Sequence, residues 1–204
     1  MKRNFWLIAP YAAWMVLMTA LPSTALAYAV RTTVVSALLV LGLGLKASRA
    51  FIVGSDREIA FPFPWRSVVS GLVVGLAVFA VWILPEQFDW TWYRTFCILG
   101  EGGTKAVAES GTALIALRLF GSAFVISVAE ELFFRKWLIG FAGFWGMVFL
   151  FAVEHDRWLV GSIAGVIYGF LYLRRGLGAA IVAHAVTNLV LGLWVLKTGQ
   201  WQFW

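Results

Sequence analysis

Long apolar stretches joined by short polar connections are the feature that most constrains this fold. Hydrophobic residues make up 62% of the 204 residues and charged residues only 13%, and the mean hydropathy is +0.87. This composition lies outside the range of soluble domains. Inside a bilayer every backbone polar group needs a partner within the protein, which helices provide. The sequence therefore predicts an all-α fold, a polytopic membrane helix bundle.

A transmembrane helix needs about 17–25 apolar residues, and on this measure we expect about seven helices, with roughly six to eight as the range. Four longer helices are predicted near 5–21, 26–45, 66–84 and 112–133. Three shorter ones are predicted near 146–156, 158–173 and 178–196. The polar segment 85–111 is expected to carry an interfacial piece through Trp90 and Trp92. We find no internal repeat and no linker, so residues 1–204 are predicted to form a single transmembrane domain.

The N-terminus imitates a secretory signal peptide. Lys2 and Arg3 precede an apolar run at 5–21, and the small residues Ala25-Leu26-Ala27 follow. The run is longer than the usual apolar core of a signal peptide, and a second apolar stretch follows closely. We therefore expect the segment to stay in place as the first helix.

Basic residues cluster on alternate connections, while the segment 85–111 is rich in acids. The clusters are Lys2/Arg3, Lys46/Arg49/Arg57/Arg66, Arg135/Lys136 and Arg174/Arg175. The positive-inside rule then predicts a cytoplasmic N-terminus, and we expect a prokaryotic inner membrane. Short clusters favour contact with anionic lipid of the bilayer over binding of nucleic acid.

Several polar side chains interrupt stretches that otherwise read as membrane-spanning. They are Glu130, Glu131, Arg135, His155, His184 and Asn188, and they include both histidines of the chain. Placing such a group in a bilayer costs about 2.5–3.5 kcal/mol or more, so each needs a partner or a water-filled cavity. We interpret them as a catalytic site within the membrane.

Helix geometry predicts that these residues converge. If the chain turns near Gly143, Glu130 and His155 each lie roughly 18–20 Å from that turn along their own helices. A second turn near Gly176 leaves His184 roughly 12 Å into the last helix. The three side chains are therefore expected at similar depth.

Local spacing suggests how the roles divide. Glu131 and Arg135 stand four residues apart in the order that favours an ion pair, so we predict a supporting pair. Glu130 points about 100° away and stays free for chemistry. Asn188 follows His184 by four residues, which predicts that it orients or supplements that ring.

A carboxylate, two imidazoles and a carboxamide in one cavity suit water-activated amide hydrolysis. The carboxylate accepts a proton from water, and the other groups bind a metal or donate hydrogen bonds to an oxyanion. Motifs of the HExxH, GxSxG and GxGD types and phosphate-binding glycine loops are missing from the sequence. Two alternatives stay open: a proton-coupled transporter, and a non-catalytic scaffold or immunity-type membrane protein.

Three motifs in order carry a family resemblance: Glu130-Glu131-Leu132-Phe133-Phe134-Arg135 (EExxxR), Phe151-Ala152-Val153-Glu154-His155 (FxxxH) and His184-Ala185-Val186-Thr187-Asn188 (HxxxN/D). Together they resemble the CAAX protease and bacteriocin-processing family of intramembrane endopeptidases. This family is also called the Abi or type II CAAX prenyl endopeptidase family. The resemblance covers about 112–196, which we take as the catalytic core.

The resemblance implies that Glu130 activates water, while His155, His184 and Asn188 bind the site or stabilise the oxyanion. The substrate would be a membrane-associated protein or peptide. His155, His184 and Glu130 would also give Zn²⁺ or another divalent metal three ligands and one open position, so a metal site and a metal-free mechanism both stay open. The connections between the motifs are short for this family, which favours a small substrate chamber.

Overall fold

The computed structural model describes residues 2–44, 64–100 and 111–203, and all regular structure within these ranges is helical. Most of the helices coincide with apolar stretches of the sequence. In chain order they are α1 (Lys2–Ala20), α2 (Ala25–Gly44), α3 (Trp65–Gln87), α4 (Thr91–Cys97), α5 (112–142), α6 (144–153), α7 (Trp158–Arg175) and α8 (Leu177–Thr198), before a 3₁₀ turn at Trp201–Phe203. Lys46, Arg49 and Arg57 of the predicted basic clusters lie outside the described residues.

Among the described residues, four helical segments are long and apolar enough to cross a membrane: Ala25–Gly44, Trp65–Gln87, Thr112–Val153 and Leu177–Thr198. The third of these contains both α5 and α6. Helix α1 contributes a shorter apolar stretch, Asn4–Ala20. The described residues form seven helices besides the short α4, which confirms the predicted all-α membrane bundle.

The chain reverses direction at Gly143, as the sequence predicted. Gly143 has φ 74° and ψ 173°, a backbone conformation that glycine adopts without the penalty a Cβ brings. Across the turn the rings of Phe134 and Phe151 meet edge to face, with centroids 5.0 Å apart. Helix α6 therefore packs back against the part of α5 that carries the first motif.

Two predicted boundaries were wrong. Helix α5 continues to 142 instead of ending at 133, because Arg135 pairs with Glu131 inside the helix and the backbone first leaves helical geometry at Gly143. Helix α6 ends at Val153, so His155 lies in the connection between α6 and α7 and not inside a helix.

The bundle has two ends, the Gly143 end and the Arg157 end. At the Gly143 end, the Ser67 hydroxyl of α3 donates to the carbonyl oxygen of Arg175 at the end of α7, 3.3 Å away. At the Arg157 end, a buried ion pair joins Glu86 near the end of α3 to Arg157 before α7, with 2.5 Å between Oε1 and Nε. These contacts fix α3 and α7 side by side.

Helices α3 and α8 pack closely because glycine lies in their interface. A Cβ on Gly75 would stand 2.5 Å from the carbonyl oxygen of Ala183 and 2.8 Å from Cβ of Val186. The Thr187 hydroxyl also lies 2.8 Å from the Gly75 carbonyl oxygen as a hydrogen-bond donor. Small residues that let backbones approach are typical of membrane helix interfaces. This contact holds α8, which carries the third motif.

Helix α1 packs on the first motif. The Tyr11 ring stacks on Phe133 with centroids 4.4 Å apart and meets Phe134 edge to face at 5.2 Å. Leu7 of the same helix is 1% exposed. The N-terminal segment thus forms part of the bundle in this structure, while its retention in the cell stays a prediction.

We expect Gly75→Ala to lower the free energy of unfolding by about 1–3 kcal/mol, because the added methyl group overpacks the α3–α8 contact. The matched control is Gly140→Ala, since a Cβ there meets nothing within 4 Å and alanine favours a helix over glycine. Thermal unfolding of the two variants in detergent compares them. Equal midpoints would contradict the close α3–α8 packing.

Candidate active site

A cavity of 290 Å³ lies between α3, α5, α8 and the connection from α6 to α7. All four residues predicted to be catalytic line it: Glu130, His155, His184 and Asn188. The predicted convergence of residues from three separate segments is therefore what the structure shows. Other lining side chains come from the C-terminal turn, where Gln202 and Phe203 reach the cavity.

The supporting pair Glu131 and Arg135 lies behind the cavity. Both side chains are fully buried, and Arg135 Nη1 stands 3.0 Å from Glu131 Oε1. The guanidinium also lies over the Phe151 ring, 4.1 Å from its centroid, a cation–π contact between α5 and α6. Because Arg135 is buried inside α5, our use of it as a charge on a connection was wrong.

His184 is held by the same carboxylate. Its Nδ1 lies 2.8 Å from Glu131 Oε1, and a carboxylate only accepts, so Nδ1 carries the proton and donates it. Its Nε2 then faces Oε2 of Glu130 at 3.6 Å. The Tyr168 ring stacks on the imidazole at 5.1 Å and 24°. The two neighbouring glutamates thus contact the same imidazole, Glu131 at Nδ1 and Glu130 at Nε2.

Glu130 is the free carboxylate of the pair. It is 7% exposed, and its Oε2 is buried without a hydrogen-bond partner among the described residues. The helix around it is wound more widely than an α-helix, with π-helical stretches at Gly121–Ile126 and Glu131–Leu138. Such stretches are frequent at functional sites, and nothing in the sequence pattern predicted them.

His155 reaches the cavity from the connection after α6. Its Nδ1 lies 2.7 Å from the carbonyl oxygen of Phe151, so the ring donates there and leaves Nε2 with a free lone pair. The Trp82 ring of α3 packs against the imidazole edge to face at 5.4 Å. The backbone of Phe151, the first residue of the FxxxH motif, thus orients the His155 ring.

Asn188 does not orient the His184 ring, since it donates its hydrogen bonds elsewhere, but it lines the same cavity and its supplementary role stays a prediction. Its Nδ2 donates to the carbonyl oxygen of Ser122 over 3.0 Å and to the Ser127 hydroxyl over 3.1 Å. The reason is that Glu131 already occupies Nδ1 of His184. Asn188 instead ties α8 to the widened part of α5 at the wall of the cavity.

As placed, the described residues form no ready metal-binding group. Residues 2–44, 64–100 and 111–203 contain no group of three or more histidine, cysteine or carboxylate side chains that could hold a metal ion. Glu130, His155 and His184 nevertheless line one cavity, with His184 Nε2 3.6 Å from Glu130 Oε2. The metal site stays a prediction.

Sequence reasoning missed several side chains of this site. Tyr168 stacks on His184 and donates its hydroxyl proton to Thr187 over 2.6 Å, and Thr187 continues to α3. Trp82 and Glu154 also line the cavity. Thr187 and Glu154 lie at unspecified positions within the motifs, and Tyr168 and Trp82 lie outside them, so none of the four carries a spacing signal.

The only cysteine, Cys97, is not a rival nucleophile. It lies at the end of α4, 2% exposed and away from the cavity lining. Burial raises the pKa of its thiol, which keeps it protonated.

Comparison with known proteins agrees with the site. Residues 112–190 match the family model described as Type II CAAX prenyl endopeptidase Rce1-like, which confirms the resemblance predicted from the three motifs. The matched segment includes all the predicted site residues. This part of the chain is therefore similar to CAAX protease-type intramembrane endopeptidases, and its apolar helices make the chain a multi-pass membrane protein. No curated protein and no solved structure matches the chain.

Replacing Arg135 with methionine is expected to lower the free energy of unfolding by about 3–5 kcal/mol, because Glu131 would lose its buried cation. The double variant Glu131→Gln/Arg135→Met should recover part of this loss, since it removes both charges. Thermal unfolding in detergent measures both changes.

The matched control is Arg94→Met. Arg94 forms an exposed ion pair with Asp89, with side chains 50% and 77% exposed, so its loss should change stability by about 1 kcal/mol or less. A loss for Arg135→Met no larger than for Arg94→Met would contradict the central role of the buried pair.

Proposed function

We propose, from the family match over residues 112–190, that this protein is an endopeptidase that hydrolyses a peptide bond within or beside the membrane. Its substrate is a membrane-associated protein or peptide, and Glu130 is the base that activates water. The segment 112–196 serves as the catalytic core of a single domain. One observation carries the proposal: a buried carboxylate oxygen without a partner lies in a cavity that both histidines share.

The two adjacent glutamates divide the work. Arg135 neutralises the charge of the Glu131 carboxylate, and His184 donates a hydrogen bond to it. Glu131 is therefore poorly placed to take a proton from water. Glu130 has a free oxygen at the cavity and can accept a hydrogen bond from a water molecule there. The cavity of 290 Å³ has room for that water, since one water needs only about 10–15 Å³.

The reaction then runs as general base catalysis. Glu130 removes a proton from water while the water oxygen bonds to the substrate carbonyl carbon, giving a tetrahedral oxyanion. The carbon–nitrogen bond breaks when the leaving amine takes the proton back from Glu130. His184, whose Nε2 stands 3.6 Å from Glu130, is placed to hold the water and to relay that proton.

The oxyanion needs donors aimed at the cavity. His155 and His184 both hold their Nδ1 protons against acceptors of the protein, so each presents Nε2 to the cavity. A proton at Nε2 of either ring would donate to the oxyanion. Asn188 lines the same wall. Its amide would donate to the oxyanion if it gave up its hydrogen bond to the Ser127 hydroxyl.

The cavity also bears on substrate class. Its volume of 290 Å³ lies at the small end of ligand pockets, which span about 300–1,000 Å³. Short connections between the motifs favoured a small chamber as well. We propose that an extended peptide segment enters, with any prenyl group left outside among the lipids.

Location follows from the basic clusters. We propose a prokaryotic inner membrane with a cytoplasmic N-terminus, as the positive-inside rule predicts. The Gly143 end, with Arg66, Arg174 and Arg175, then faces the cytoplasm. The Arg157 end, beside the cavity, faces the opposite side.

Glu130→Gln is expected to reduce cleavage of a membrane-associated peptide about 10²–10⁴-fold, because the amide keeps the shape but cannot accept a proton. The assay compares purified variants in detergent, with thermal unfolding as the check on folding. The control Asp89→Asn removes an exposed carboxylate, 77% exposed, and should cleave like wild type. Undiminished cleavage by Glu130→Gln would rule out Glu130 as the base. A folded wild-type protein that cleaves no such peptide would favour a scaffold, and proton flux that depends on Glu130 without cleavage would favour a transporter.

Cleavage is expected to persist after exhaustive treatment with a chelator, because the described residues form no metal-holding group. Elemental analysis of the same active sample should find less than one divalent metal per chain. Activity lost with the chelator and restored by Zn²⁺ would instead support the site of Glu130, His155 and His184.

A further inference from the structure

A second concave feature lies between α3 and α7 at the Gly143 end, away from the active site. Two adjoining cavities of 550 and 450 Å³ share Ser70, Val74 and Arg175 and so form one groove. We call it the α3–α7 groove. Its lining residues are Trp65, Arg66, Val69, Ser70, Val73, Val74, Val166, Ile167, Phe170, Leu171, Arg174 and Arg175.

The walls of the groove suit a hydrocarbon chain. Apart from Ser70 and three arginines, every lining side chain is apolar, and no acidic residue lines the groove. Val73 and Phe170 are 63% and 47% exposed, so the groove opens on the outer surface of the bundle. In a membrane protein this surface faces lipid.

The arginines are gathered at one end of the groove. Arg66 lies in the first turn of α3, while Arg174 and Arg175 close α7. The hydrogen bond from Ser67 to the Arg175 carbonyl oxygen places the ends of the two helices at the same level. None of the three arginines forms an ion pair with a carboxylate among the described residues.

The start of α3 adds to the positive potential there. Its first turn receives no hydrogen bond from a side-chain cap, and the helix is 23 residues long. The N-terminus of such a helix carries a partial positive charge and favours anions. Trp65, 69% exposed beside Arg66, suits the boundary between headgroups and hydrocarbon.

We propose that the α3–α7 groove binds an anionic phospholipid. The headgroup phosphate contacts Arg66, Arg174 and Arg175, and an acyl chain lies along the apolar wall towards the bundle centre. Charge complementarity at one end and an apolar wall along the rest match the two parts of a phospholipid. An acidic peptide would leave most of the wall uncovered. The site is independent of the proposed protease activity.

Native mass spectrometry of the purified protein tests this inference with phosphatidylglycerol and phosphatidylcholine as probes. Wild type should bind phosphatidylglycerol at least tenfold more tightly than phosphatidylcholine. Arg66→Gln/Arg175→Gln should weaken phosphatidylglycerol binding roughly 25-fold, since each basic residue near a headgroup changes affinity about fivefold. The control Lys2→Gln/Arg3→Gln removes the same charge at the start of α1 and should leave binding within about twofold.

A second variant tests the groove itself without a change of charge. Val73→Trp at an exposed position should fill the apolar wall and weaken phosphatidylglycerol binding at least fivefold while the fold survives. Equal binding of both lipids by wild type, or equal loss in both charge variants, would overturn the proposal and leave the arginines as topology signals. A dimer that forms through the groove and excludes lipid would overturn it as well.

Discussion

The structure depends on the neutralisation of one buried charge. The Glu131 carboxylate lies fully inside the bundle, where an unpaired charge would cost several kcal/mol, and Arg135 and His184 share its Oε1 at 3.0 and 2.8 Å. Arg135 belongs to the same helix, and its guanidinium lies over Phe151 of α6. His184 belongs to α8. One carboxylate therefore joins the three segments that carry the three motifs.

This arrangement also prepares the chemistry. Because Glu131 accepts a hydrogen bond from Nδ1 of His184, Nε2 of that ring faces the cavity and Glu130. His155 is set in the same manner by the carbonyl oxygen of Phe151. The hydrogen bonds behind the cavity thus fix the orientation of both imidazoles. Of the two neighbouring glutamates only Glu130 lines the cavity, which is why they have different roles in the proposed mechanism.

The backbone supplies the distances that these contacts require. Gly143 reverses the chain so that α6 returns along α5, and Gly75 lets α3 approach α8 closely. The resulting frame holds side chains from α5, α8 and the α6–α7 connection around a 290 Å³ cavity. The α3–α7 groove lies on the outside of the same frame. One face of the bundle is thus arranged for chemistry and another for contact with lipid.

The sequence by itself determined the membrane bundle, the reversal at Gly143, the Glu131–Arg135 pair and the residues that meet at the cavity. These follow from hydropathy, glycine and spacing along a helix, which are local properties. Only the tertiary structure decided that Glu131 also binds His184, that Asn188 turns to Ser122 and Ser127, and that Tyr168 stacks on the imidazole. The π-helical stretches on either side of Glu130 were also visible only in the tertiary structure. The physical reason is that each of these contacts joins residues distant in sequence, and a buried polar group takes whichever partner the packing brings within reach.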